Sequence, residues 1–202
     1  MKKVVIGKLI NAISNNDSYS QEQLEVIQYG LESIYILITK IFIIGVIAYL
    51  LGILYEFAVF LLIYNIIRTP SFGLHATKSW ICLVSSSLVF LITPIIARDI
   101  AIAPIIRSLI GCYAICRIYQ NSPADTEKRP IISPKRRLIY RYISTFVAIT
   151  MVVISLLLTN QFLANSFVLA LLVQTAMISP YVYKIFGLKY NNYLYYQESL
   201  YT

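Results

Sequence analysis

The chain has 202 residues, 58% of them hydrophobic and only 13% charged, with 17 Lys and Arg against 9 Asp and Glu and a formal net charge of +8. A soluble domain is about half apolar and a quarter charged, and here the apolar surplus comes in long runs instead of alternating faces, so lipid is the solvent the sequence calls for. So little polar surface excludes a soluble nucleic-acid reader despite the basic balance, and three cysteines are too few for a disulfide scaffold.

In chain order, residues 1–33 contain no span and no cleavable signal peptide. Ile6, Leu9, Ile10 and Ile13 recur at helical spacing, the pattern breaks at 17–20, and Ser20 with Gln23 forms a capping box ahead of Leu24, Ile27 and Leu31 on one face. Two amphipathic helices are expected, lying at the membrane interface or packed on the bundle.

Six apolar segments follow, at about 34–54, 57–67, 80–97, 100–116, 138–158 and 162–179, giving an all-α polytopic bundle over 34–179. The second is too short as it stands and must borrow residues on either side. Pro94 and Pro104 are expected to kink or end their helices. Residues 180–202 form a tail rich in tyrosine (Tyr181, Tyr183, Tyr190, Tyr193, Tyr195, Tyr196 and Tyr201), which suits the headgroup zone.

Basic residues fix the orientation. With an even number of spans and both termini inside, the cytoplasmic segments hold Lys2, Lys3, Lys8, Arg68, Lys78, Arg117, Lys128, Arg129, Lys135, Arg136, Arg137, Lys184 and Lys189. The outer turns carry only Glu56, Arg98 and Asp99. Lys40 and Arg107 fall within spans, and Lys40 reads as a snorkelling side chain.

The segment 68–82 holds the one strong chemical signal. His75 is the only histidine, and Cys82 follows seven residues later. Cysteine attacks as thiolate, and histidine is its usual base. Seven residues of straight helix would separate the two by ~10 Å of rise, whereas proton transfer needs about 3 Å. A dyad therefore requires His75 to fold back from a loop over the first turn of the third span. Pro70 and Gly73 punctuate that loop, Thr77 or Ser79 can cap the span, and the helix dipole and Lys78 favour a thiolate. On spacing alone the pair is a weak signal, because an interfacial histidine and a packing cysteine would look the same. Cys112 and Cys116 share a helix face and read as small residues packing between helices; two ligands do not make a zinc site, and no cofactor is called for. The loop 117–137 ends in Lys135, Arg136 and Arg137, a basic run suited to anionic lipid, to an acidic peptide, or simply to fixing topology.

These residues together resemble the AgrB family, the accessory gene regulator protein B peptidases of Gram-positive quorum sensing. The likeness rests on Arg68, Gly73, His75, Ala76 and Cys82, on the run Ser122, Pro123, Ala124, Asp125, Thr126, Glu127, Lys128, Arg129, Pro130 and Ile131, and on an amphipathic start before about six apolar segments. The chain departs from the family in having Pro70, Ser71 and Phe72 where glycines usually precede the histidine. The resemblance implies a homodimeric membrane cysteine endopeptidase acting on an AgrD-like precursor with an amphipathic N-terminus and an acidic tail. Cys82 would be the nucleophile and His75 its base. Arg68, Gly73, Lys78 and Ser79 are candidates for positioning substrate or oxyanion, and Lys135, Arg136 and Arg137 for holding the acidic tail. The product would be a thiolactone or lactone ring. A non-enzymatic peptide transporter or exporter is the alternative; it would need ionisable residues along a path, for which only Lys40 and Arg107 offer themselves.

Overall fold

A computed structural model describes residues 6, 7, 9–11, 13, 19–74, 79–127 and 130–198. His75, Lys78, Lys128, Arg129, Tyr201 and the lysines at 2, 3 and 8 lie outside the described residues, as does the side chain of Tyr196. The chain divides into two compact units, Met1–Ile47 and Ala48–Thr202, taken here separately.

In the first unit the described residues among 6–13 are helical. Helix α1 then runs unbroken over Gln21–Leu50, its last three residues belonging to the second unit. The capping box forms as expected: Ser20 N donates to Gln23 Oε1 at 2.9 Å, and Gln23 N donates to Ser20 Oγ at 3.3 Å. Residue 33, where the amphipathic segment is expected to end, lies within this helix. The shift from polar to apolar composition there is not a break in the backbone, and one helix of about 45 Å exceeds the ~30 Å hydrocarbon core, leaving its polar start outside.

The second unit holds α2 (Leu54–Ser71), α3 (Ser79–Asp99), α4 (Pro104–Asn121), α5 (Pro134–Leu157), α6 (Gln161–Met177) and the short α7 (Pro180–Ile185) and α8 (Asn192–Glu198). Among the described residues, three helices are long and apolar enough to cross a membrane: Gln23–Leu50, Trp80–Asp99 and Pro134–Leu157. Gln161–Met177 is apolar but shorter. The short second segment does gain residues at both ends, and α2 continues through Pro70. Pro94 lies inside α3, whereas Pro104 opens α4 at its first turn, where a missing N–H costs nothing.

Helix α6 is the hub, packed against α2, α3, α4 and α5. Its buried residues, Ala164, Asn165, Ser166, Val168, Leu169, Ala170, Leu171, Gln174 and Thr175, surround it on all sides, which explains why its sequence has no polar face. Small side chains allow close approach elsewhere too: a Cβ added at Gly111 of α4 would stand 2.7 Å from Val152 of α5. Cys112 and Cys116 are exposed on the opposite side of α4, so the expectation that they pack between helices is corrected.

Polar groups inside the bundle end helices. Asn165 Nδ2 donates to the carbonyls of Ala97 (3.0 Å) and Ile100 (2.8 Å), closing α3. Arg107 is buried, and its Nη1 donates to the Ser155 carbonyl in the last turn of α5. This arginine is a cap borrowed from a neighbouring helix, with its charge at the negative end of the helix dipole. Arg107→Met should therefore orphan that carbonyl and cost about 1–3 kcal/mol, read as a lower melting temperature of the detergent-solubilised protein.

The two ends of this unit differ in charge. At one, Arg98 pairs with Glu56 (3.4 Å) and Asp99 (2.7 Å). The other gathers the residues after α2, the α4–α5 loop and the chain after α6.

Candidate active site

Cys82 is the fourth residue of α3, in its first turn, half-buried and not in a disulfide. Ser79 is the first residue of the same helix. Phe72, Gly73 and Leu74 are not helical, and His75 and Lys78 lie between the two described stretches, outside the described residues.

The stretch leading to His75 is held on every side. Phe72 takes φ 57° and Gly73 φ 123°, conformations that L side chains rarely adopt. Arg68, on the last turns of α2, turns back over this loop. Its Nη1 donates to the Phe72 carbonyl at 2.7 Å, and its Nη2 to the carbonyls of Gly73 (3.3 Å) and Leu74 (2.8 Å). From α6, Gln174 Nε2 donates to Ser71 Oγ (2.6 Å) and to the Phe72 carbonyl (2.7 Å). Ser71 Oγ itself donates to Ile67 O, so it must accept from the amide, which fixes which end of Gln174 is nitrogen. Leu74 N donates to the Met177 carbonyl at 3.1 Å.

The fourth side is the distant loop after α4, entered through a cis Ser122–Pro123 bond. Ala124 N donates to Ser71 O (3.1 Å) and Gly73 N to Ala124 O (2.9 Å), an isolated parallel bridge between Phe72 and Ala124. The two stretches singled out in the sequence, 68–74 and 122–127, thus meet backbone to backbone. Ser122 Oγ donates to Ser144 Oγ (2.8 Å) and Arg141 Nε to Ser122 O (3.2 Å), tying the loop to α5.

Asp125 follows, 2% exposed. Its carboxylate accepts from Asn192 N (3.1 Å), Tyr193 N (3.0 Å), Arg137 Nη1 (3.3 Å) and Ile131 N (3.4 Å). Tyr183, fully buried, donates its hydroxyl to the Asp125 carbonyl at 3.0 Å. Burial pushes the Tyr183 phenol well above its ordinary range, opposed by the charge of Arg68, so the hydroxyl keeps its proton and remains a donor. Burial likewise raises Tyr190, whose ring meets that of Tyr183 edge-on.

Several expectations change here. Arg137 does not point outward for a substrate: it donates to Asp125 and to the Pro123 carbonyl (3.4 Å), and its guanidinium lies 3.5 Å from the centre of the Tyr193 ring. Lys135 and Arg136 are exposed at the start of α5. The headgroup reading of the tail is corrected for Tyr183, Tyr190 and Tyr193, which fold back onto the loop; Tyr181 and Tyr195 are exposed. Sequence reasoning missed Gln174 and the role of Asp125. Each had a faint signal, an amide in an apolar span and an acid before a basic run.

The family model described as accessory gene regulator B matches residues 6–178. Among relatives, an AgrB-like protein of Clostridium acetobutylicum is 25% identical over 98% of this chain and 97% of its own length. An AgrB-like protein of Listeria innocua is 31% identical over 83% of this chain and 82% of its own. Accessory gene regulator protein B of Staphylococcus aureus is 25% identical over 87% of this chain and 92% of its own. No solved structure matches.

Proposed function

The chain belongs to the accessory gene regulator B family, and on that premise we propose that it is a membrane-embedded cysteine endopeptidase that matures a cyclic quorum-sensing peptide. The observations that carry the reading are that Cys82 stands in the first turn of α3 and that the backbone at 72–74, which leads directly to His75 in sequence, is clamped by Arg68, Gln174, Met177 and Ala124. A structural loop has no need of such precision, whereas a base that must stand about 3 Å from a thiol does.

In this mechanism His75 takes the Cys82 proton as the thiolate attacks the scissile carbonyl of an AgrD-like precursor. The C–N bond breaks, the acidic C-terminal part leaves with the proton that His75 returns to its amine, and the rest stays as a thioester on Cys82. A cysteine or serine side chain of the peptide then gives its proton to the now neutral His75 and attacks the thioester, closing a thiolactone or lactone ring and releasing the Cys82 thiolate. Thioester exchange with a thiol is nearly balanced in energy, so ring closure depends on a held peptide and on exclusion of water. The backbone N–H groups at the start of α3, from Ser79 onward, are available to the oxyanion, and the helix N-terminus suits that charge. Arg68 and Gly73 serve by shaping the loop. Lys135 and Arg136 remain the cations for the acidic tail, and Lys78 a candidate for positioning the substrate. The site and both termini face the cytoplasm, the helices cross the membrane an even number of times, and two copies form a homodimer.

The test is to incubate the purified protein in lipid with a short precursor peptide bearing an amphipathic start and an acidic tail. We expect a free C-terminal fragment and a mass adduct on the protein that neutral hydroxylamine removes, as it does a thioester. Transport of intact peptide with neither fragment nor adduct would replace the peptidase by an exporter.

A further inference from the structure

We propose that Asp125, with the tail segment that wraps it, is a positioning residue for the reaction: it sets where the backbone of Gly73 sits, two residues before the proposed base His75. This rests on the endopeptidase reading and extends it to residues outside the dyad.

The inference follows a continuous run of bonds. The tail delivers two consecutive backbone N–H groups, from Asn192 and Tyr193, to the two oxygens of one buried carboxylate. Tyr183 binds the carbonyl of the same residue. One residue earlier, Ala124 both donates to Ser71 O and accepts from Gly73 N. Gly73 is two residues before His75. The tail is therefore bonded to the loop before His75 through Asp125 and Ala124. Arg137 neutralises the carboxylate and is itself covered by the Tyr193 ring, so the charge pair is shielded from water.

These contacts lie at one end of the bundle: they join the α4–α5 loop, Arg137 in the first turn of α5 and the tail, whereas α6 packs on α2, α3, α4 and α5 along its own length. Loosening them should leave a folded protein whose base is misplaced, a fault of kcat and not of peptide binding.

The experiment uses full-length protein in lipid, the same peptide, and Cys82→Ala as control. Asp125→Asn keeps the shape but puts an amide against donors. The expected result is single-turnover acylation slowed by about 30-fold or more, with KM within about twofold of wild type. Hydrogen exchange at the Gly73 and Leu74 amides should accelerate about tenfold while α6 amides stay protected. Tyr183→Phe loses one hydroxyl and keeps its ring, so it should fold even if Asp125→Asn does not; it should show the same pattern with a loss of about three- to tenfold. The double variant should lose no more than Asp125→Asn alone, because both act through one contact. Wild-type acylation in folded Asp125→Asn or Tyr183→Phe, or a loss confined to KM, would overturn the inference. If Cys82→Ala is inactive while both variants match wild type, the positioning role alone fails; if Cys82→Ala still cleaves, the endopeptidase reading fails and takes this role with it.

Discussion

Cys82→Ala is expected to abolish release of the C-terminal fragment from the precursor, by at least ~10³-fold, while the protein accumulates in membranes at the wild-type level. The side chain is half-buried in the first turn of a helix whose packing is made further along, at residues such as Phe90 and Ala97, so losing one sulfur has little effect on folding. Cys82→Ser should be nearly as inactive: a hydroxyl is far less ionised than a thiol at neutral pH, and no thioester can form. Cys112→Ala and Cys116→Ala supply the contrast. Both thiols lie exposed on α4, and both variants should cut at the wild-type rate. Fragment release by Cys82→Ala at the wild-type rate, followed by mass spectrometry, would remove the nucleophile from the mechanism.

What was legible in the sequence divides by the range of the interaction. The Ser20–Gln23 capping box is a local pattern, and it appears where the residues imply. The apolar runs also became helices, because hydropathy over some twenty residues is a summed signal. Bounds were harder. Pro70 reads as a stop, yet α2 runs past it because Arg68, Ser71 and Gln174 satisfy the groups at its end. Likewise the composition changes near residue 33, yet the backbone continues as one helix, Gly30 included. The tail failed for a different cause. Tyrosine is equally suited to a headgroup layer and to a buried hydroxyl donor, and only a partner decides between them. That partner, Asp125, lies 67 residues from Asn192 in sequence, beyond the reach of any local pattern. Arg68 is intermediate: its spacing to Gly73 marked it, but only the carbonyls it reaches reveal that it holds the loop.

Gly73→Ala should therefore be among the most damaging single changes outside the dyad, and its physics is separable from the dyad's. Two penalties combine. The φ of 123° is one that an alanine adopts only with strain of about 1–3 kcal/mol. The new Cβ would also stand 2.2 Å from Arg68 Nη1 and 3.0 Å from the Met177 carbonyl. A carbonyl in the last turn of α6 moves little, so the guanidinium must swing away, and the carbonyls of Phe72, Gly73 and Leu74 lose their donor together. The loop then has only Gln174, Ala124 and the Met177 carbonyl to hold it. We expect acylation to fall by about 30- to 100-fold with the helical circular dichroism unchanged. Arg68→Lys tests the same contact from the other side: an ammonium on a flexible stem cannot replace a planar fork across three carbonyls, and a comparable loss is expected. The pair Gly73→Ala and Arg68→Lys should lose little more than either alone, since the first already displaces the side chain that the second shortens. Full additivity of the two losses would mean that Arg68 acts on the substrate directly and not through the loop, and a wild-type rate in Gly73→Ala would mean that the position of His75 does not depend on the backbone two residues before it.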